Sequence, residues 1–157
     1  MLKNYIGTKM VQAERALRVT DQWGKKTVIS MEGVPVIEPF CDVEEGYKVV
    51  YRDGYESWSP KEVFEEAYRE TDGMSFGLAI EAAKIGKRIA RKGWNGRNQY
   101  VQLATCISYV TFDGGIINAN HDAIGNKSLA FVGTSGVQMG WLASQADMLA
   151  DDWMIVE

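Results

Sequence analysis

The chain is poor in the side chains on which most catalytic and metal sites are built. Its 157 residues include one histidine, His121, and two cysteines, Cys41 and Cys106. A structural zinc takes about four Cys or His ligands, so a structural zinc is excluded, and so is any site that needs two imidazoles. The two cysteines stand far apart among apolar or strand-forming neighbours, which favours free buried thiols over a disulfide or a metal pair. We therefore predict no metal and no cofactor.

Long apolar runs are missing as well. None approaches the roughly 20 residues that cross a bilayer, and residues 1–5 lack the apolar stretch of a signal peptide. We therefore expect a cytoplasmic protein without a membrane partner. Hydrophobic residues make up 46% of the chain and charged residues 24%, which is ordinary for a soluble globular protein. The length fits one domain or two modules of about 70 to 85 residues each.

The net charge of −4 is unevenly distributed. Residues 1–73 carry 10 basic and 14 acidic side chains, whereas residues 74–157 carry seven of each. Six of the second half's seven basic residues fall in one stretch from Lys84 to Arg97, which contains no acidic residue. The acidic whole is a poor partner for long nucleic acid, but a small phosphate-bearing ligand could use this local basic patch.

The first half of the chain predicts a small mixed unit. Residues 9–19 and 26–37 contain strand-type runs, and Arg52-Asp53-Gly54 between alternating apolar residues is typical of a hairpin turn. Ser59-Pro60-Lys61-Glu62 has the pattern of a capping box, with Ser59 as the N-cap and Glu62 three residues later. A helix packed on its own hairpin accounts for these residues without any further function.

A second unit is predicted from Met74, because Thr71-Asp72-Gly73 stops the first helix. Ser75 can cap a helix that ends near Gly86. Ser144-Gln145-Ala146-Asp147 is a second capping-box pattern. The strand-type segments are residues 87–92 (predicted as an exposed-face strand), 99–104, 107–112, 116–118, 129–132, 137–141 and 153–156.

The predicted fold class is therefore α+β. Residues 74–157 form a small antiparallel β-sheet module with short helices. Residues 1–73 form a small α+β accessory unit, a hairpin plus a helix, whose role the sequence does not state. Only about three residues separate the two units, which favours a rigid relation over a flexible linker.

The turn that begins at Arg91 holds the first candidate ligand site. In Arg91-Lys92-Gly93-Trp94-Asn95-Gly96, cations, an indole and a carboxamide surround two glycines. Arginine can bind phosphate bidentately, tryptophan can stack on a base, asparagine can hydrogen-bond to a base or ribose, and glycine lets backbone amides come close. The same residues also fit a basic strand and a hairpin turn with Trp94 in the core. Residue chemistry leaves both interpretations open.

A second candidate site lies around Trp141, just before the capping box that contains Ser144 and Gln145. The N-terminus of a helix favours an anion, because its amides are unpaired and its dipole is positive there. In the alternative, the apolar residues of this segment are core and the polar ones only cap the helix. The residues concerned in that alternative are Trp141, Met148, Leu149, Trp153, Ser144 and Asp147.

Acidic residues and the histidine give a weaker case for catalysis. Asp151 and Asp152 are adjacent, so their side chains diverge, and we interpret them as solvated carboxylates at a helix end. His121 beside Asp122 could be a general base, but no Ser or Cys nucleophile in a defined setting accompanies it. We therefore predict a protein that is not an enzyme and has no catalytic residue.

Two long motifs carry a resemblance to a known family. Residues 74–96, from Met74-Ser75-Phe76-Gly77 to Gly93-Trp94-Asn95-Gly96, and residues 141–153, from Trp141-Leu142-Ala143-Ser144-Gln145 to Asp151-Asp152-Trp153, stand in the same order at the two ends of the module. They resemble the opening and closing signatures of the second Thoeris anti-defence (Tad) family of phage proteins. The likeness spans nearly all of residues 74–157, whereas residues 1–73 are additional to the minimal family module.

The resemblance implies a sponge, which binds the messenger glycocyclic ADP-ribose without cleaving it and so starves the Thoeris effector in the infected bacterial cell. It also implies that cyclic oligonucleotides of other defence systems are further ligands, and that the protein is a homotetramer with ligand held between protomers. By analogy, the ligand-binding candidates are Arg91, Trp94, Asn95, Trp141, Ser144 and Gln145. A protein-binding inhibitor of a CRISPR nuclease is the second hypothesis, and a nucleotide-hydrolysing enzyme is the third.

Overall fold

The protein folds into two compact units. A computed structural model describes residues 3–4, 7–33, 36–94, 98–119 and 127–157. Unit 1 comprises Met1–Arg69 and unit 2 comprises Glu70–Glu157. Both units combine antiparallel sheet with short helices, so the predicted α+β class is confirmed. In the described part of the chain, every helix is too short or too polar to cross a membrane.

Unit 1 is a four-stranded antiparallel sheet with one helix. Its elements are β1 (Gln12–Thr20), β2 (Lys26–Ser30), β3 (Asp42–Val50), β4 (Glu56–Pro60) and α1 (Lys61–Ala67). The strands lie in the order β2-β1-β3-β4, and β1 and β3 pair along their whole length. The core of this unit is formed by the buried side chains of Ala16, Leu17, Val19 and Val49.

The local predictions for unit 1 have mixed outcomes. The hairpin at Arg52-Asp53-Gly54 is confirmed, since β3 and β4 pair antiparallel and Gly54 has a φ of 82°. The capping box at Ser59 is wrong: Pro60 is the N-cap of α1, and among the described residues no side-chain hydrogen bond caps it. Ser59 lies in β4 and pairs with Tyr47, so its backbone belongs to the sheet. Residues 36–37, predicted as strand, are not strand, and residues 34–35 lie outside the described part.

Unit 2 is a five-stranded antiparallel sheet with two helices and an additional hairpin. The sheet consists of β5 (Arg88–Arg91), β6 (Tyr100–Ala104), β9 (Ser128–Gly133), β10 (Gly136–Met139) and β11 (Trp153–Val156). Its order is β10-β9-β6-β5-β11. The additional hairpin pairs β7 (Ile107–Val110) with β8 (Ile116–Ala119), and the helices are α2 (Phe76–Lys84) and α3 (Gln145–Met148). Every strand predicted in this half is present, with ends displaced by at most two residues.

Helix α2 covers the core of unit 2. It starts after Ser75 in the N-cap position and is followed by Gly86 in the left-handed region, both as predicted, but the Ser75 side chain makes no capping hydrogen bond among the described residues. Its buried face consists of alanines, whose small side chains let the helix approach the sheet closely. The fully buried residues Ile89, Val101 and Trp153 lie beneath it in β5, β6 and β11. Trp153, the largest of them, fixes the end of the sheet at which the candidate residues lie.

Two predictions about exposure are wrong. The strand at β5 was predicted as an exposed-face strand, yet Ile89 and Ala90 are both buried, because β5 lies between β6 and β11 and α2 covers it. The thiols were predicted to be buried, but Cys106 is exposed and Cys41 is half-buried, since both lie just outside the strands of their sheets. Neither of these two described cysteines forms a disulfide.

Candidate functional site

Three indoles from separate segments of unit 2 meet beside the start of β11. Trp94 follows β5, Trp141 follows β10, and Trp153 is the first residue of β11. Their ring centroids are 6.0 Å (Trp94 to Trp141), 5.5 Å (Trp94 to Trp153) and 6.1 Å (Trp141 to Trp153) apart, and each pair is edge-to-face. Trp153 is fully buried, whereas Trp94 and Trp141 are half-buried. The two candidate tryptophans therefore share one site, although 46 residues separate them in sequence.

The backbone around the two half-buried indoles is fixed by hydrogen bonds. The amide of Trp94 donates to the carbonyl of Arg91 at 3.3 Å and closes the turn after β5. The amide of Trp141 donates to the carbonyl of Leu129 at 2.9 Å and so extends the pairing of β10 with β9 by one bond. Trp94 also packs edge-to-face on Phe131 of β9. Both indoles consequently rest on the sheet and not on a loop alone.

Arg91 joins three segments of the site. Its Nε donates to Asp152 Oδ1 at 2.7 Å, and its Nη1 donates to Asp147 Oδ1 at 3.1 Å and to the carbonyl of Ala146 at 3.2 Å. The side chains of this ion-pair network are 21% (Arg91), 14% (Asp147) and 34% (Asp152) exposed. The hydrogen bond with Asp152, and then the one with Asp147, raises the pKa of Arg91 above its ordinary value.

Asp147 closes the N-terminus of α3. Its Oδ2 accepts hydrogen bonds from the Ser144 amide at 3.0 Å and the Ser144 hydroxyl at 2.7 Å, and its own amide donates to Ser144 Oγ. The second predicted capping box is therefore confirmed. Burial alone would raise the pKa of Asp147, but hydrogen bonds from Ser144, Arg91 and the Trp94 side chain outweigh burial and lower it. The carboxylate of Asp147 thus lies where the sequence predicted a bound anion.

Asp152 is the participant that the sequence did not predict. It was interpreted as a solvated carboxylate, yet it pairs with Arg91, and this hydrogen bond is the main cause of its lowered pKa. The Gly93 amide contributes to the lowered pKa as well, and the carbonyl of Asp152 accepts from the amide of Lys92 at 3.1 Å. The side chains of the adjacent Asp151 and Asp152 were expected to point in different directions, and that of Asp152 points toward Arg91 of β5. The antiparallel pairing of Trp153 with Arg91 would have placed them together.

The remaining candidates are distributed as follows. Ser144 and Gln145 are exposed at the start of α3. Asn95 and His121 lie outside the described residues. Met148 and Leu149, which the alternative interpretation placed in the core, are 41% and 79% exposed, at the last position and the C-cap of a one-turn helix. Of the apolar residues in that interpretation, Trp153 alone is fully buried.

The chemistry of the site suits the holding of flat rings. Half-buried indoles offer π-faces and edges, and rigid aromatic rings lose little entropy on binding. Within the described ranges, no group of three or more His, Cys, Asp and Glu side chains is arranged to hold a metal ion. The fold and the site together define a small α+β module. In it, a cluster of indoles lies next to an ion-pair network of one arginine and two aspartates.

Comparison with known proteins assigns this module to a family. The profile of the Tad2-like domain, described as Thoeris anti-defense 2-like domain, matches residues 74–156. A curated relative, Thoeris anti-defense 2 of Bacillus phage SP01, is 36% identical over 86 residues, which cover 53% of this chain and 94% of the relative. The chain therefore belongs to the Thoeris anti-defense 2-like family, as the two motifs indicated. All of unit 1 precedes the region that the family profile matches.

Proposed function

We propose that the protein is a phage anti-defence protein that captures a cyclic nucleotide immune messenger, glycocyclic ADP-ribose in the first place, and does not cleave it. Cyclic oligonucleotides are candidate further ligands. One observation carries the proposal: the two family motifs, far apart in sequence, meet in space where Trp94 lies on Trp141 and Arg91 bonds to Asp147. If members of the family bind a common ligand, the residues of both motifs are expected to lie together at one site, as they do in this structure.

In this proposal Trp94 and Trp141 supply the aromatic contacts. Base stacking on an aromatic ring is worth about 1–3 kcal/mol. Gln145, exposed at the start of α3, and Asn95 supply amide hydrogen bonds. Ser144 completes the candidate set at the helix cap. Arg91 belongs to the same cluster, but in the structure its donors face Asp147 and Asp152.

A protein that binds a messenger without cleaving it needs high affinity but no catalytic group. Nanomolar binding corresponds to about 12 kcal/mol of free energy, and one pair of half-buried indoles with a few hydrogen bonds supplies only part of it. Residues from a second protomer would supply the rest if the ligand lies between protomers. We therefore include the homotetramer in the proposal, with the cytoplasm of the infected bacterium as the place of action.

One surface of unit 2 supports self-assembly. The β7–β8 hairpin forms its own two-stranded sheet and exposes large apolar side chains, and such a hairpin is marginally stable in water unless something covers it. These side chains are Tyr109, Val110, Phe112, Ile116 and Ile117. Sedimentation velocity of Phe112→Ser and Ile116→Ser is expected to show smaller species than the wild-type tetramer. A wild-type monomer would overturn this part of the proposal.

The most direct test of capture is the ligand that the protein carries from cells. Protein purified from bacteria with active Thoeris signalling is heated, and the released nucleotides are identified by mass spectrometry. Intact glycocyclic ADP-ribose is the expected result. A cleaved product would show an enzyme, and release of no nucleotide together with co-purification of a host nuclease would favour a protein-binding inhibitor. Either result would overturn the proposal.

A further inference from the structure

Most of the hydrogen-bonding capacity of Arg91 is already used within the protein. A guanidinium has five N–H donors in a planar fork. In Arg91, Nε and Nη2 face the two carboxylate oxygens of Asp152 at 2.7 and 3.4 Å, and Nη1 faces Asp147 and the carbonyl of Ala146. The cluster of one cation and two carboxylates has a net charge of −1. A ligand phosphate that approaches it meets excess negative charge and not an available arginine.

The two aspartates that hold Arg91 through their carboxylates also bind the tryptophan segments through their backbone carbonyls. Asp152 binds the turn before Trp94, because its backbone carbonyl accepts from the Lys92 amide, and its carboxylate lies close to Gly93 in the same turn. Burial raises the pKa of Asp147, and the Trp94 side chain helps to lower it, after Ser144 and Arg91 in order of influence. The carbonyl of Asp147 accepts from the Nε1 of Trp153 at 2.9 Å.

Removing any member of this network would therefore loosen the indole cluster. Trp94 lies on one side of Arg91, at the end of the turn that Asp152 holds. Trp153, on which both Trp94 and Trp141 pack, is held through Asp147. A polar network with all its members satisfied specifies one arrangement, whereas a partly satisfied one does not.

We propose that Arg91, Asp147 and Asp152 act as positioning residues, which fix the orientation of Trp94 and Trp141 for a nucleotide ligand without touching its phosphates themselves. The binding part of this inference rests on the proposed function. A direct phosphate contact and a positioning role predict opposite effects of neutralising Asp152. Loss of the carboxylate would release Arg91 to a phosphate and tighten binding in the first case, and would loosen the indoles and weaken binding in the second.

The binding experiment is a calorimetric titration of glycocyclic ADP-ribose into the full chain. Arg91→Lys keeps the charge but not the fork, and Asp152→Asn keeps the shape but not the charge. Each is expected to lower affinity by about tenfold, and the double variant by little more than either, because residues in one network are coupled. Arg88→Lys is the matched control, since the guanidinium of Arg88 on the same strand lies over the Tyr100 ring.

A second experiment needs no ligand. The chain contains five tryptophans, so protein made with fluorotryptophan gives five fluorine NMR signals, which single Trp→Phe variants assign. Arg91→Lys and Asp152→Asn are expected to shift or broaden the signals of Trp94 and Trp141. The signals of Trp23 and Trp58, in unit 1, should stay in place and serve as internal references. An unchanged far-UV circular dichroism spectrum verifies that the variants fold.

The two experiments separate the possible failures. Tighter binding by Asp152→Asn would overturn the positioning role in favour of a phosphate contact. Unchanged Trp94 and Trp141 signals in both variants would overturn it as well. If the wild type binds no messenger but the fluorine signals shift as expected, the proposed function fails while the network still positions the indoles.

Discussion

The two units use aromatic residues in different ways. In unit 1, Tyr47, Phe64 and Tyr68 form a nearly parallel stack, with centroids 4.2 and 4.7 Å apart. Phe64 and Tyr68 lie four residues apart, so this stack continues one face of the α1 segment onto β3. In unit 2, the edge-to-face indoles come from three distant segments. The first arrangement closes a helix onto its own sheet, whereas the second holds together parts of the chain that carry a site.

Charged groups show the same contrast. Two ion pairs of unit 1, Lys48 with Glu56 and Lys61 with Glu45, link largely exposed side chains. Arg91 of unit 2 is partly buried and bonds to two carboxylates around the indoles. Exposed pairs contribute little to stability, while a partly buried network fixes geometry. The two exposed pairs of unit 1 are thus expected to contribute little, whereas the network of unit 2 fixes the segments that carry the candidate site.

The largest expected effect is a loss of stability, which should differ between a tryptophan of unit 2 and a tryptophan of unit 1. Trp153→Ala removes a fully buried indole and is expected to destabilise unit 2 by about 3–5 kcal/mol. Trp58→Ala should cost unit 1 less, because Trp58 is partly exposed and its Nε1 has no partner among the described residues. Hydrogen exchange measured by mass spectrometry reports each unit separately. Equal losses in the two variants would contradict the contrast.

Glycine substitutions should have opposite signs in the two units. A Cβ on Gly46 would lie 2.2 Å from the carbonyl oxygen of Ser59 and 2.7 Å from the Trp58 ring, so Gly46→Ala is expected to destabilise unit 1 by about 1–3 kcal/mol. Gly77 lies in α2, where a Cβ would approach only Ser75 Oγ, at 3.9 Å. Gly77→Ala should stabilise unit 2 by about 0.5 kcal/mol. Urea titration followed by hydrogen exchange checks both, and a stabilising Gly46→Ala would be inconsistent with the packing.

Acid should weaken the network of unit 2. Asp147 and Asp152 have pKa values below the ordinary 3.8, so their contribution to stability is complete above that value and is lost as the pH falls below it toward their folded values. The melting temperature of unit 2 is expected to drop as the pH falls from 5 to 3. A variant with Asp147→Asn and Asp152→Asn should start lower and drop less. A parallel drop in that variant would mean that other carboxyl groups are responsible.

The smallest expected effect concerns an exposed ion pair of unit 1. Lys48 Nζ lies 3.0 Å from Glu56 Oε1. Lys48→Gln should cost no more than about 0.5 kcal/mol, and less still in high salt. Thermal unfolding at two salt concentrations measures this. A loss above about 1 kcal/mol that salt does not reduce would erase the difference between the two units' charged groups.

Sequence patterns predicted local structure better than they predicted contacts between residues far apart in sequence. Alternating and turn residues located the strands of unit 2, and Ser144 with Asp147 located a true capping box, because these features depend on neighbours in sequence. The same pattern failed at Ser59, where pairing with β3 overrides the local preference. The pairing of Arg91 with Asp152 spans 61 residues and could be found only once β5 and β11 were known to be adjacent.

The central claim is capture by the indole site, and one calorimetric comparison tests it most directly. Glycocyclic ADP-ribose is titrated into the wild-type chain, Trp94→Ala, Trp141→Ala and Trp23→Ala, the last of which removes an exposed indole of unit 1. Tight binding by the wild type and Trp23→Ala, with binding lost in Trp94→Ala and Trp141→Ala, is the predicted result. Binding that survives in both Trp94→Ala and Trp141→Ala, or no heat from the wild type, would contradict the claim.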